Sequence, residues 1–400
     1  MTEVRPKPKA PNLLAASGLP LVYPVAPDAA QIPAVPAENG FDVASRAAVR
    51  TLTVMQKEAV VVRSGSPIAW RMASDEGPYL QGHDFAPAPL AFMTTGLAVD
   101  VMGNVERALR SAGLPTYPLR LVLDTHFSIE GSLPRGTMVG GALPPEIAVY
   151  TGYGDRSTTT GAVLTGVLAS ATAGLVGASL QSLFSLTSHG RDIPVGRVSS
   201  LDEAPPQPGP AEFPPVQTEA VPEQIITKTF DVGEHTSDAG VSLKQEQRRE
   251  LHLQAEVQRR ADGIAVIDTR VHRPNGSTFR FLADESEDHG GEGRAPDAIS
   301  YISAGIGFCF MTQFGRYAKI LQRDLGDYGI IQDTRFSVGD ADADPPVGGR
   351  ADDPRTHVYL APNGDDDFAR HAVDMSEQTC FIHALARTEL RPKVKVLPYS

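Results

Sequence analysis

The sequence predicts an α+β fold made of two similar halves. Three observations lead to this prediction: short runs that alternate apolar and polar residues, two long apolar helical segments, and an internal repeat. The helical segments are too few and too widely spaced to follow every strand, as a parallel βαβ fold would require. We therefore expect antiparallel sheets packed around long buried central helices.

The repeat appears when the chain is laid over itself at a constant offset of 209 positions. Thirteen of the 59 positions from Arg71 to Ile129 are then identical, about three times the number that composition alone predicts. The matched residues include Arg71 with Arg280, Asp75-Glu76 with Asp284-Glu285, Gly82 with Gly291, Gly96 with Gly305 and Arg107 with Arg316. We interpret the chain as a tandem duplication.

Each half shows the same succession of predicted elements. Early strands cover 51–62 and 67–74 in the first half, and 252–260, 264–271 and 278–283 in the second. A Gly-rich turn then leads to the long helices, 90–111 and 298–323, which are apolar nearly all round and so should be buried on more than one side. Strands at 121–128 and 330–338, a further strand, and second helices from 157 and 365 follow. The alternating tail at 393–397 predicts a closing strand.

Proline-rich stretches set the expected domain boundaries. Residues 1–45 read as a Pro/Ala-rich N-terminal arm, and 191–224 as a Pro-rich linker, because closely spaced prolines remove backbone donors and helical dihedrals. The domains are then 46–190 and 225–400. The uncharged segment 161–184 is long enough to span a bilayer, but its small residues favour a closely packed buried helix instead.

Composition excludes several classes of function. With 36 basic against 48 acidic residues, the net charge of -12 argues against a surface for nucleic acid or anionic lipid. The N-terminus shows no signal-peptide pattern, so we expect a cytoplasmic protein without a membrane span. Two cysteines without C-x-x-C spacing do not make a zinc site, and neither a phosphate-binding Gly-rich loop nor an H-E-x-x-H helix occurs. We expect no cofactor and no metal.

The residues ahead of the long helices carry a family resemblance. The first half reads Asp75-Glu76-Gly77-Pro78, then Gly82 and Pro87; the second has Pro296-Asp297, then Cys309 in the long helix and Cys380 in the next helix. In this order they resemble the OsmC/Ohr family, named for an osmotically inducible protein and for organic hydroperoxide resistance. The resemblance covers most of 50–190 and 245–398. Family members are usually homodimers with interlocked strands and two interface sites, so it implies two OsmC-like domains fused as an intramolecular pseudo-dimer.

The two halves differ in sulfur content. Cys309 lies opposite Asp100, and Cys380 opposite Ser170, so the first domain lacks both cysteines. At most one of the two equivalent sites is therefore expected to carry out cysteine chemistry.

The resemblance implies a thiol-dependent peroxidase that reduces organic hydroperoxides. By position, Cys309 is the peroxidatic cysteine and Cys380 the resolving one, and an external dithiol such as a lipoylated protein resets the pair. The family holds its reactive thiolate with a carboxylate and an arginine. By position the carboxylate is Asp297, and the arginine is Arg259 or Arg260.

The residues by themselves leave other interpretations open. Free cysteines are commonly inert core residues. A hydrolase or lyase could use Cys309 as nucleophile, or Asp100 as acid or base, on a small organic substrate. A non-catalytic protein that binds an apolar ligand or a partner also fits, since Phe308 and Phe310 suit either a dry core or a hydrophobic substrate pocket. Further association of pseudo-dimers into a homo-oligomer stays open.

Overall fold

A computed structural model describes residues 10–26, 32–152, 155–201, 223–233, 247–285, 290–360 and 366–399. The elements of the first half are α1 (Leu13–Ser17), β1 (Val22–Val25), β2 (Val43–Thr51), β3 (Lys57–Arg63), β4 (Ala69–Ser74), α2 (Pro89–Ser111), β5 (Leu119–Gly131), β6 (Val139–Thr151), α3 (Arg156–Ala169), α4 (Ala171–Gly177), β7 (Leu183–Ser188), β8 (Arg191–Ile193) and β9 (Ser199–Ser200). Those of the second half are β10 (Ile226–Phe230), β11 (Gln247–Arg259), β12 (Ala265–Arg273), β13 (Thr278–Ala283), α5 (Ala298–Leu321), β14 (Tyr328–Ser337), β15 (Arg350–Ala351), β16 (Arg355–Leu360), α6 (Asp366–Thr379), α7 (Phe381–Arg387) and β17 (Lys393–Pro398). The predicted α+β class is confirmed.

The two halves exchange strands in two sheets. The first sheet has the order β1-β4-β3-β2-β14-β16-β7-β8, so two strands of the second half lie among strands of the first. The second sheet has the order β10-β13-β12-β11-β5-β6-β17, with the contributions of the halves reversed. Pairing is antiparallel except at β16–β7, β7–β9 and β17–β6, which are parallel. Each sheet therefore needs strands from both halves.

The long helices form the middle of the molecule. Helix α5 packs on β2, β3 and β14 of the first sheet, α2 packs on β5, β11 and β12 of the second, and the two helices pack on each other. Their backbones come into close contact at two glycines. A Cβ on Gly96 would lie 2.8 Å from the carbonyl oxygen of Ala298, and one on Gly305 would lie 2.7 Å from the backbone nitrogen of Met93. Only glycine permits this backbone contact, and these two glycines are matched in the sequence repeat.

The predicted elements agree with the structure in type and position for both long helices and the closing strand, and both second helices begin within one residue of the predicted position. The second helix of the second half, predicted to contain Cys380, instead breaks at that residue, which is extended and separates α6 from α7. The predicted segment 278–283 coincides with β13. The predicted buried helix over 161–184 is different: it breaks at Ser170, ends at Gly177, and its last residues begin strand β7. Ser170 adopts an extended conformation there and its hydroxyl accepts from the Ala173 N–H, which starts a new helix.

The proline-rich boundaries also differ from the prediction. Part of the predicted arm forms α1 and β1, and β2 begins at Val43, before the expected domain boundary. Strand β1 pairs with β4 at the edge of the first sheet, where a proline is tolerated. The predicted linker contains the short strands β8 and β9, which pair with β7, whereas its residues 202–222 lie outside the described part of the chain.

Helix α5 is long and apolar enough to cross a membrane by length and composition. It has 24 residues, and its most apolar 18-residue window has mean hydropathy 1.2, but 94% of that window is buried inside the protein. Helices α3 and α4 meet the same criterion only as one segment, and they are bent by 66°. Burial between two sheets accounts for the apolar character of α5.

Candidate active site

The two cysteines meet in the core. The Cys380 thiol donates to the Cys309 sulfur at a sulfur–sulfur distance of 3.2 Å. Cys309 lies in the middle of α5, whereas Cys380 lies between α6 and α7 in an extended conformation that turns its side chain toward α5. A disulfide bond measures about 2.05 Å, so the sulfurs need to approach by only about 1 Å to bond. The structure therefore brings the two predicted cysteines together across 71 residues of chain.

The two thiols differ in their surroundings. Cys309 borders a cavity of about 410 Å³ and keeps 2% of its surface exposed, whereas Cys380 has no exposed surface and does not border the cavity. Burial raises the pKa of Cys380 well above its usual value, and the contact with Cys309 raises it further. The backbone N–H groups of His383 and Ile382 oppose this shift of the Cys380 pKa. Cys309 is thus the thiol that a small molecule can reach.

The cavity lies between the two halves of the chain. Its apolar lining consists of Leu80, Pro89, Leu90, Ile129, Leu251, Pro274 and Phe381. Its polar lining consists of Glu76, Tyr79, Arg249, Glu250, Arg273, Thr312, Gln313 and Arg316. The first half supplies the loop after β4 and the start of α2, and the second half supplies α5, β11 and the start of α7. A hydrophobic molecule with one polar group suits such a lining.

A buried carboxylate from the first half lies beside α5. Glu76 is 3% exposed; one of its oxygens accepts from the Thr312 hydroxyl at 2.8 Å and the other from the Tyr79 hydroxyl at 3.2 Å. Burial raises the pKa of Glu76, and the positive charges of Lys57 and Arg316 oppose that rise. Glu76 therefore links the first half to the helix that carries Cys309.

The loop that presents Glu76 is held by its own sequence. The Asp75 carboxylate accepts from the backbone N–H groups of Glu76, His83 and Phe85 at 2.8, 3.2 and 3.1 Å. A Cβ on Gly82 would lie 1.8 Å from the carbonyl oxygen of Glu76, so the chain can close over this point only with glycine. The same contact recurs between Gly291 and Glu285, which explains why the repeat preserves both motifs.

Lys57 is a fully buried cation near the thiols. It is 1% exposed, and its Nζ donates to the Met55 carbonyl at 2.7 Å. Burial lowers the pKa of Lys57, whereas the negative charges of Glu76, Asp75 and Cys309 raise it. A buried ammonium is costly unless anions surround it, so these acidic groups and Lys57 stabilise one another.

Arg316 is the second cation of the site and lies two turns after Cys309 on α5. Its Nη1 donates to the Gln313 side-chain oxygen at 2.8 Å, and the same oxygen accepts from the Thr379 hydroxyl at 3.3 Å. Burial lowers the pKa of Arg316, and Glu76 and Cys309 act against that shift. Gln313 thereby joins the guanidinium to the residue that precedes Cys380.

The structure places Asp297 away from the thiols. It lies twelve residues before Cys309 on the same helix, about 18 Å along the helix axis. Its carboxylate accepts from the Ser300 N–H at 2.7 Å as the N-cap of α5, and forms a 2.6 Å ion pair with Arg63. Its carboxylate is therefore occupied in starting the helix and neutralising Arg63.

The two predicted arginines also lie elsewhere. Arg259 forms a 2.6 Å ion pair with Glu106 of α2 and lies 3.9 Å from Glu285, which places it at the first half's long helix. Arg260 is partly exposed and pairs with Glu223 at 2.9 Å and with Asp262. The buried cations that interact electrostatically with Cys309 are Lys57 and Arg316 instead. Arg316 lies on α5 itself, and Lys57 comes from the first half because strand exchange brings β3 to α5.

Asp100 occupies the position that corresponds to Cys309. One oxygen accepts from the Thr172 N–H at 2.6 Å and the other from the Asn104 amide at 3.0 Å. Burial raises the pKa of Asp100, and the hydrogen bonds from Thr172 oppose the rise. The space beside it is only about 40 Å³, too small for an organic substrate. In this position Asp100 anchors the start of α4.

The surroundings of Asp100 resemble those of Cys309, except that two side chains near Cys309 have no counterpart near Asp100. Asn104 and Arg107 form the same side-chain hydrogen bond, at 2.8 Å, as Gln313 and Arg316. At the repeat offset, however, Thr312 corresponds to Gly103 and Lys57 corresponds to Val266. The cysteines, the hydroxyl that binds the carboxylate and the buried lysine thus occur together at one site only.

Sequence reasoning missed Glu76, Lys57, Arg316 and Gln313 as site residues. Two of them left a signal: Glu76 and Arg316 each match an identical residue of the other half at the repeat offset. Lys57 has no counterpart in the other half and left none. Among the residues that the structure describes, no cluster of three or more His, Cys, Asp or Glu side chains could hold a metal ion.

The chain is similar to a solved structure. That structure is of an OsmC-like hydroperoxide resistance protein from Jannaschia sp. CCS1, with 19% sequence identity and a TM-score of 0.21, over 30% of this chain and 75% of that protein. No protein-family model matches the chain, and no curated protein does. The chemistry of the site is therefore inferred from its own residues.

Proposed function

We propose that this protein is a thiol-dependent peroxidase that reduces organic hydroperoxides through Cys309 and Cys380. The observation that carries the proposal is the 3.2 Å contact between the two sulfurs at the wall of a largely apolar cavity. We further propose that the chain is a tandem duplication of an OsmC-like domain, folded as an intramolecular pseudo-dimer with one thiol site. The sequence repeat, the reciprocal strand orders and the paired glycines support this origin.

In the oxidising step the Cys309 thiolate attacks the terminal oxygen of the hydroperoxide. A sulfur–oxygen bond forms, the O–O bond breaks, and the alkoxide takes a proton and leaves as the alcohol. Cys309 becomes a sulfenic acid. The thiolate is the reactive form of cysteine, and Lys57 and Arg316 are the two buried cations that interact electrostatically with Cys309.

In the resolving step the Cys380 sulfur attacks the Cys309 sulfenic acid. The disulfide bond forms, the S–OH bond breaks, and hydroxide leaves with the proton of Cys380 as water. Burial keeps Cys380 protonated until this step. An external dithiol then reduces the disulfide. Since free thiols persist in reducing compartments, we propose that the protein acts in the cytoplasm.

Cysteine mapping tests the proposal. Reduced protein treated with one equivalent of cumene hydroperoxide should yield a Cys309–Cys380 disulfide by mass spectrometry. The Cys380→Ser variant should stop at a sulfenic acid on Cys309 that dimedone traps, and the matched Cys309→Ser variant should not react. Unchanged thiols in the parent protein would refute the proposal. A hydrolase or lyase would instead turn over substrate without reductant, and a binding protein would show ligand-induced thermal stabilisation alone.

A further inference from the structure

Part of the proline-rich N-terminal arm packs against one wall of the cavity at Cys309. That wall is the loop of residues 75–85, which we call the wall loop; its cavity-lining members are Glu76, Tyr79 and Leu80. Leu14 of α1 is 2% exposed and packs in an apolar cluster with the residues that flank the wall loop, Ala73 and Ala86. Within the loop, the His83 Nε2–H donates to the Ala10 carbonyl of the arm at 2.7 Å. The arm therefore covers part of this wall.

A buried glutamine joins the arm to the wall loop. Gln56 has no exposed surface, and its Oε1 accepts from the backbone N–H groups of Leu13 and Leu14 at 2.8 and 3.2 Å. Its Nε2 donates to the Asn12 side-chain oxygen at 2.7 Å and to the Asp75 carboxylate at 3.2 Å. The first N–H groups of a helix have no acceptor within that helix, so α1 depends on Gln56 for this role. Both polar atoms of the Gln56 side chain are thus used in holding the arm, and one of them also holds the wall loop.

The wall loop is held by the arm through Asp75 and by α5 through Glu76. Burial raises the pKa of Asp75, and the hydrogen bond from Gln56 is the strongest influence that opposes this rise. The next residue, Glu76, accepts from the Thr312 hydroxyl, which lies one turn after Cys309 on α5. Neighbouring residues of the loop therefore bond to two different parts of the molecule. The distance between the wall loop and α5, and with it the width of the cavity, depends on both attachments.

We propose that the N-terminal arm, acting through Gln56, limits the size of the molecule that can reach Cys309. Gln56 and Leu14 are then positioning residues that determine specificity: neither lines the cavity, but together they hold its wall in place. A molecule too wide for the cavity of about 410 Å³ enters only if the wall loop moves away from α5, and the contacts with the arm oppose that movement. The docked arm therefore favours compact hydroperoxides over bulky ones. The inference rests on the proposed function for the nature of the substrate.

The test measures how fast thiol reagents of two sizes modify Cys309 in the reduced protein, so it does not depend on reaction with hydroperoxide. The small reagent is methyl methanethiosulfonate, the bulky one is N-(1-pyrenyl)maleimide, and mass spectrometry locates the modified cysteine. Gln56→Leu removes the hydrogen bonds to the arm and to the wall loop, so we expect the bulky reagent to react about fivefold faster or more, and the small one to change by less than about twofold. Leu14→Ala, which removes the apolar anchor of the arm, should act in the same direction. Gln258→Leu, with an exposed side chain on β11, should match the parent with both reagents.

The outcomes separate this inference from the proposed function. An unchanged rate with the bulky reagent in both Gln56→Leu and Leu14→Ala would overturn the inference. An equal rise with both reagents would also overturn it, because general loosening of the fold admits small and large molecules alike. If Gln56→Leu does not unfold cooperatively in chemical denaturation, Leu14→Ala decides the result. A size effect on Cys309 in a protein that never forms the disulfide with hydroperoxide would support the inference and remove the proposed peroxidase function.

Discussion

Acid should destabilise the protein by protonating His383, which lies about one helical turn after Cys380. His383 is 1% exposed, and neither ring nitrogen has a hydrogen-bond partner among the described residues. Its ring lies 5.7 Å from that of Phe184 and 5.0 Å from that of Phe310. Burial lowers its pKa to about 3, from an unfolded value of about 6.5. The folded state therefore requires the neutral imidazole.

The sign and size of the effect follow from proton linkage. Below pH 6.5 the unfolded chain binds a proton at His383 that the folded chain does not, so the stabilisation present above pH 6.5 is lost as the pH falls toward 3. At pH 4.5 the loss from this one group is about 2.7 kcal/mol, which is two pH units at about 1.36 kcal/mol each. Acid should thus weaken the packing beside Cys380.

Chemical denaturation at pH 7 and pH 4.5 measures this loss. Between pH 7 and pH 4.5 the parent protein should lose about 2.7 kcal/mol more of its free energy of unfolding than the His383→Leu variant loses. The matched control His371→Leu, on the exposed face of α6, should lose as much as the parent. Equal losses in the parent and in His383→Leu would refute the assignment of acid sensitivity to this buried ring.

Three further predictions concern the site and the helix crossing. Lys57→Met should lower the free energy of unfolding by about 3–5 kcal/mol in chemical denaturation at pH 7, because the buried carboxylates of Glu76 and Asp75 lose their counter-charge. The exposed Lys393→Met should change it by at most about 1 kcal/mol, and equal losses in the two variants would contradict the role of the buried cation. Gly305→Ala should destabilise the protein by about 1–3 kcal/mol in thermal unfolding, because the added methyl group meets the backbone of α2. Gly161→Ala should not destabilise it, because its added methyl group meets open space. Equal melting temperatures for the two variants would argue against the close helix contact. Asp100→Ala should lower the free energy of unfolding by about 1–3 kcal/mol, because the Thr172 N–H loses its acceptor. The rate of hydroperoxide reduction should stay unchanged. A loss of that rate in Asp100→Ala would instead assign Asp100 a chemical role.

Local patterning accounts for how much of the fold could be predicted. Alternation of apolar residues, proline at the start of a helix and continuous apolar runs act over a few residues, and they located α2, α5, β13 and β17. The same local signals did not predict elements that form only because they pair with a distant part of the chain. Strand β1 contains a proline and follows a proline-rich stretch, yet it forms because β4 offers an open sheet edge.

The site shows the same division. Sequence order and resemblance selected Cys309 and Cys380, but they assigned the charged partners within the second half, as Asp297 and Arg259 or Arg260. The structure surrounds the thiols with Glu76 and Lys57 of the first half, because the halves exchange strands and each long helix packs against loops of the other.

The sequence by itself therefore determined the α+β class, the positions of the two long helices, the repeat and the half that carries sulfur. Only the tertiary structure decided that the two sulfurs lie 3.2 Å apart and which charges surround them. The physical reason is range: secondary-structure preferences depend on neighbouring residues, whereas a buried charge is stabilised by whatever group folding brings within a few ångströms. For Glu76 and Thr312 that group lies 236 residues away in the chain.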